Sequence, residues 1–118
     1  MIAIIDYGVG NLFSLVSSLR MIGADAIATS DPEVIRSADK IILPGVGAFE
    51  DAARKLSESG LGDVVVSEAR SGKPTLGICL GMQMLFDVSY EYGVHHGLGL
   101  IRGSVRPISD VIPKGLKI

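Results

Sequence analysis

The sequence predicts an α/β fold in which a mainly parallel sheet carries helices on both faces. Three observations predict it. Short apolar runs alternate with stretches of helical periodicity along the 118 residues. The runs are apolar throughout, as strands covered on both faces require. Three of the loops that follow strands hold glycines or the only cysteine, and they fall at the carboxyl edge of the sheet, where such folds bind ligands.

Ile2 to Ile5 is the first strand. Leu12, Leu15, Val16, Leu19 and Ile22 then recur at helical spacing and give one apolar stripe, which Gly23 stops. Asp25 to Thr29 reads as the second strand. Ser30-Asp31-Pro32-Glu33 is a helix start, with Ser30 as the cap, Glu33 three residues on and proline in the first turn. That short helix ends near Ala38. Lys40 to Leu43 is the third strand, cut off by Pro44-Gly45. Glu50 to Ser59 and Leu61 to Ser71 are helical, and Gly72-Lys73-Pro74 ends the second. Pro74 to Ile78 is the fourth strand and Leu80 to Phe86 the helix after it. Ser89 to Gly97 reads as a polar loop holding both histidines. Leu98 to Ile101 and Ser104 to Arg106 read as short strands, and Gly115 to Ile118 as the start of another.

Composition narrows the function classes. A hydrophobic fraction of 47% supplies material for a core, and the length allows one domain at most. The net charge of −2 offers no electrostatic footprint for nucleic acid or an acidic membrane surface. No apolar run approaches the length of a membrane span. The start, Met1-Ile2-Ala3-Ile4-Ile5-Asp6, lacks the basic region of a signal peptide. The lone cysteine cannot close an internal disulfide, so a reducing, cytoplasmic setting is expected.

That cysteine carries the strongest chemical signal. Cys79 stands between Gly77 and Gly81, at the junction of an apolar strand and a helix. Gly-x-nucleophile-x-Gly at such a junction is a nucleophile elbow, in which glycines relieve the crowding of a sharp turn. The turn lifts the sulfur out of the sheet and sets it at a helix N-terminus, where unpaired N–H groups favour a thiolate over a thiol. The competing reading, a buried structural cysteine, does not explain the paired glycines.

The remaining motifs are weaker alone. Asp6-Tyr7-Gly8-Val9-Gly10-Asn11-Leu12-Phe13 half-matches a dinucleotide fingerprint, with Asp31 near the distance of a ribose contact. Phe13 replaces the third glycine, which favours a plain strand-to-helix turn. Pro44-Gly45-Val46-Gly47 can turn its amides toward a developing oxyanion, or be a plain turn. His95 and His96 are candidate bases for Cys79. As neighbours on a loop they point in different directions, which favours a solvated pair. Neither has a third ligand nearby for a metal site, and no metal or cofactor is expected.

Together these residues resemble a known family. Leu76-Gly77-Ile78-Cys79-Leu80-Gly81-Met82-Gln83 resembles the nucleophile segment of class I (triad-type) glutamine amidotransferases. Most of that class carry a Pro-Gly-Gly oxyanion strand. The form here, Pro44-Gly45-Val46-Gly47-Ala48-Phe49, is similar to the glutaminase subunits of imidazole glycerol phosphate synthase, of histidine biosynthesis. Asp6 to Leu12 and Gly97 to Val105 fit the same subunits, so the likeness spans residues 1–118 in order. It implies a flavodoxin-like three-layer fold. It also implies that Cys79 attacks the carboxamide of L-glutamine, giving a glutamyl thioester and ammonia. Val46 and Leu80 would supply the oxyanion-hole amides, and Gly47 and Gln83 would hold the substrate's amino-acid end. Asn11 would lie at the interface with a cyclase (βα)8-barrel subunit, the partner in a heterodimer, which would consume the ammonia.

In that family the catalytic histidine and its acidic partner lie further on, in a segment matched by neither His95 nor His96. The expectation is therefore an incomplete amidotransferase domain, truncated before the His/Glu segment and inactive alone, with apolar sheet surface left open. A catalytically silent binding module and a different cysteine hydrolase of similar fold stand as alternatives.

Overall fold

The computed structural model describes residues 1–116. Four strands form the main sheet: β1 (Ile2–Ile5), β2 (Ala26–Thr29), β3 (Lys40–Leu43) and β4 (Thr75–Gly77), in the order β2-β1-β3-β4. All pairs are parallel, with Ile2 opposite both Ala26 and Lys40, and Ile41 opposite Thr75. This is the flavodoxin-like order that the resemblance implied.

Side-chain alternation along the strands divides the core. Ile4 and Ile42 face helix α1 (Leu12–Met21), which lays Leu12, Leu15, Val16 and Leu19 on them. Ala3, Ile5, Ile41 and Leu43 point to the other face. There they meet α2 (Pro32–Ser37), α3 (Phe49–Glu58) and α4 (Leu61–Arg70) through Ile35, Phe49, Leu56 and Val65. The result is three layers. Ile22, expected in the α1 stripe, is 79% exposed because it is the C-cap, one residue past the last turn.

Capping sets the start of α2. The cap is Asp31 rather than Ser30, with its Oδ1 accepting from the Glu33 amide at 2.9 Å. Lys73, just after α4, donates to the Ile35 and Arg36 carbonyls at 2.9 and 2.7 Å and pairs with Glu68 at 3.1 Å. One ammonium thus satisfies carbonyls in the last turn of α2 and ties that helix to α4.

The larger departure follows the elbow. Helix α5 (Leu80–Met84) ends before Phe86, which opens strand β5 (Phe86–Ser89). The reason is tertiary. The Leu98 amide donates to the Met84 carbonyl at 2.7 Å, and the Leu100 and Ile101 amides to Leu85 at 2.9 Å. Carbonyls that would extend the helix instead receive a returning chain. Gly97 makes this approach possible: a Cβ there would lie 2.1 Å from the Phe86 carbonyl oxygen.

Strand β6 (His95–His96) pairs antiparallel to β5, and β7 (Ile101–Val105) pairs parallel to it. The two strands expected over Leu98 to Ile101 and Ser104 to Arg106 are this one strand, preceded by the Leu98–Leu100 crossover. The histidines lie on a hairpin strand rather than in the expected loop. The strand expected from Gly115 runs into residues 117–118, outside the described residues, and Gly115 and Leu116 are not in a strand. No helix of the described residues is long and apolar enough to cross a membrane.

Candidate active site

Cys79 is the N-cap of α5 and adopts φ 54° and ψ −120°, a left-handed conformation. Only Tyr92 shares a positive φ among the described non-glycine residues. Such backbone persists when its surroundings over-determine it, and it clusters at functional sites. Here the surroundings are the two flanking glycines. A Cβ on Gly77 would lie 2.5 Å from the Met82 Cα, and one on Gly81 would lie 1.9 Å from the Leu43 oxygen. The Ile78 amide donates to the same Leu43 carbonyl at 3.0 Å, joining the elbow to the end of β3. Cys79 is exposed, as the elbow geometry predicts.

The three strand-end loops converge. A cavity of about 290 Å³ is lined by Gly10 and Asn11 from the first loop, Pro44 to Val46 from the second, and Ile78 and Cys79 from the elbow. Asn11 caps α1 by accepting from the Ser14 amide at 3.3 Å, which places it on the rim. Val46 is 60% exposed beside it. Leu80 is buried and begins α5, where backbone N–H groups lack intrahelical acceptors. Gly47 follows Val46 at φ 91°, exposed, and does not line this cavity.

Gln83 opens onto a neighbouring cavity of about 340 Å³, shared with Tyr90, Glu91 and Arg106. Its backbone N–H donates to the Cys79 carbonyl at 3.2 Å, and its side-chain Oε1 is buried with no hydrogen-bond partner among the described residues. An orphaned buried acceptor calls for a donor. Glu91 reaches across to α3, where its Oε1 accepts from the Phe49 amide at 3.4 Å. Sequence reading missed Glu91, because residues 42 positions apart share this site only through the hairpin. It also missed Tyr7, whose buried hydroxyl donates to the Pro44 carbonyl at 2.6 Å. Burial pushes the Tyr7 phenol up to about 12.

The histidines stand elsewhere. The His95 Nε2 lies 3.1 Å from the Tyr92 carbonyl oxygen and 3.8 Å from a Glu50 carboxylate oxygen. His96 lines a third cavity with Asp63 and Met84, on the α3–α4 side. Among the described residues no hydrogen bond joins either ring to Cys79, and no three His, Cys, Asp or Glu side chains gather as a metal ligand set.

A family model, the CobB/CobQ-like glutamine amidotransferase domain, matches residues 1–109. The chain belongs to this glutamine amidotransferase family. Curated relatives agree. The imidazole glycerol phosphate synthase subunit HisH of Wolinella succinogenes is 47% identical over all of this chain and 58% of its own length. The protein of that name from Methanothermobacter thermautotrophicus is 51% identical, over all of this chain and 57% of its own. That from Oceanobacillus iheyensis is 50% identical over 95% of this chain and 56% of its own. The amidotransferase chain described here thus spans about half the length of the curated relatives it matches. A solved glutamine amidotransferase superposes with a TM-score of 0.74 at 21% identity, over 88% of this chain and 55% of that one. A putative peptidase E from Listeria monocytogenes does so at 0.67 and 15%, over 85% and 62%. These two likenesses show the shared fold.

Proposed function

We propose that this amidotransferase chain carries the nucleophile and oxyanion-hole half of a glutaminase, in a protein that supplies ammonia to the cyclase of imidazole glycerol phosphate synthase. One observation carries the reading: the strained Cys79 elbow opens onto the crevice where the Asn11 and Val46 loops meet. Relatives named as the HisH subunit of imidazole glycerol phosphate synthase support it.

Cys79 attacks the carboxamide carbon of glutamine, and the carbonyl oxygen becomes an oxyanion that the Val46 and Leu80 amides stabilise. Collapse expels ammonia and leaves a glutamyl thioester, which water hydrolyses. Gly47 and Gln83 hold the amino-acid end of the substrate. Asn11 and the exposed Val46, which line the crevice, face the (βα)8-barrel subunit, so that ammonia passes over without escaping to water. The heterodimer works in the cytoplasm, and no cofactor takes part.

Taking the Cys79 thiol proton needs a positioned general base, and delivering a proton to the leaving ammonia needs a general acid. His95 contacts the Tyr92 carbonyl and His96 lines the α3–α4 cavity, so among the described residues neither is hydrogen-bonded to Cys79. Residues 1–118 therefore turn over glutamine negligibly by themselves.

The decisive test is labelling of the whole protein, bound to its barrel subunit, with a glutamine-mimicking alkylator. A single adduct is expected on Cys79, protected by glutamine and abolished by Cys79→Ser, together with loss of glutamine-dependent ammonia release. Glutamine hydrolysis that survives Cys79→Ser would overturn the reading.

A further inference from the structure

We propose that Tyr7 is a positioning residue, which pins the stem of the Pro44–Gly47 loop and so fixes the origin from which the Val46 amide turns toward the crevice. The inference rests on the glutaminase reading above and names a residue that reading does not use.

The geometry is a clamp. The Tyr7 hydroxyl, only 6% of its residue exposed, donates to the Pro44 carbonyl at 2.6 Å. The next residue, Gly45, is held between that hydroxyl and the elbow. A Cβ on Gly45 would lie 2.9 Å from the Tyr7 oxygen, 2.8 Å from the Gly81 amide nitrogen and 3.1 Å from the Leu80 Cβ. Exposure changes sharply at that point: Pro44 and Gly45 are buried, whereas Val46 and Gly47 are exposed and Gly47 sits at φ 91°. The stem cannot move without breaking the Tyr7 bond, while the tip beyond it is free to turn. Tyr7 thus sets the origin from which the Val46 N–H is aimed. It does so against the turn that carries Leu80, so both oxyanion amides share one reference. Tyr7 comes from the β1 loop, which also supplies Asn11 to the rim, so contacts on that rim reach the oxyanion loop through it.

The test is Tyr7→Phe in the whole protein bound to its barrel subunit, with 4-aminophenylalanine at position 7 as the donor-restoring variant. Two measurements are read. Amide hydrogen exchange over residues 44–48 should speed several-fold in Tyr7→Phe, with the β1 and β3 amides unchanged, and should return in the aminophenylalanine variant. Glutaminase kcat per alkylatable Cys79 should fall roughly tenfold, with KM within about twofold, because the lost interaction acts in the transition state. The iodoacetamide rate at Cys79, which needs no oxyanion hole, should stay unchanged. Unaltered exchange over 44–48 overturns the clamp whatever the activity. Faster exchange with kcat and KM both unchanged overturns the positioning role, as does a kcat loss that the amino donor fails to restore. Wild-type protein that labels at Cys79 but hydrolyses no glutamine would overturn the glutaminase reading instead, and the exchange result would still decide the clamp.

Discussion

Gly81 has no room for a side chain, and the reason is backbone rather than conformation. Its missing Cβ would sit 1.9 Å from the Leu43 oxygen, so Gly81→Ala must push β3 and the elbow apart. A loss of roughly 3 kcal/mol or more is expected. Gly8 is the contrasting case, with open space around it but φ at 89°. Gly8→Ala should cost only about 1–2 kcal/mol, the penalty of a left-handed side chain. Urea denaturation of both variants checks the ordering, and equal losses would count against the close-approach account. Tyr7 makes a prediction in pH. Burial raises its phenol from 10.0 to about 12, so the folded chain holds that proton more tightly than the unfolded one. The associated stability is complete below pH 10 and is lost as pH rises toward 12. Thermal denaturation across that window should fall steeply in the wild type and more gently in Tyr7→Phe. The glycine spacing around Cys79 was readable because an elbow has a local rule. The Tyr7 bond was not, since nothing near position 7 announces a carbonyl 37 residues away.

Elements are held together by a few side chains that satisfy backbone ends. Lys73 is the clearest, with its side chain 11% exposed and Glu68 beside it at 18%. Lys73→Met would leave the Arg36 carbonyl without its side-chain donor, the Ile35 carbonyl with the Ala38 amide alone, and Glu68 without its partner. A destabilisation of about 2–4 kcal/mol is expected, with Glu68→Gln costing less. Chemical denaturation decides it, and a Lys73→Met variant as stable as wild type would show that α2 and α4 pack without this tie. The α5–β5 junction shows where local reading stopped. Leu80 to Phe86 has helical composition, yet the Leu98, Leu100 and Ile101 amides take the carbonyls of Met84 and Leu85. A helix end created by a distant strand leaves no mark in the seven residues concerned. The same hairpin placed the histidines on β6 and carried Glu91 to the start of α3.

At the scale of the molecule, β4 is an edge of the main sheet among the described residues, and Leu76 at its centre is 56% exposed. An unpaired edge with an exposed apolar side chain is a template for association. Residues 1–118, prepared alone, should self-associate in a concentration-dependent way. Leu76→Lys should shift sedimentation toward monomer, and an unchanged distribution would place the contact elsewhere.

Composition, strand–helix alternation and glycine spacing were sufficient for the parallel three-layer architecture, the position of Cys79 at its turn and the convergence of the glycine loops. All three follow from short-range rules: apolar runs need cover on both faces, and sharp turns need small residues. The second sheet, the Asp31 cap in place of Ser30, the Tyr7–Pro44 bond and the Gln83–Glu91 cavity came from the folded arrangement. Each depends on which backbone group meets which partner, and several compatible partners exist for every polar group until packing brings one within 3 Å or so. The histidines illustrate the divide. Their chemistry qualified them as bases for Cys79, and only the pairing of β6 with β5 turned them toward Tyr92, Glu50 and the α3–α4 side.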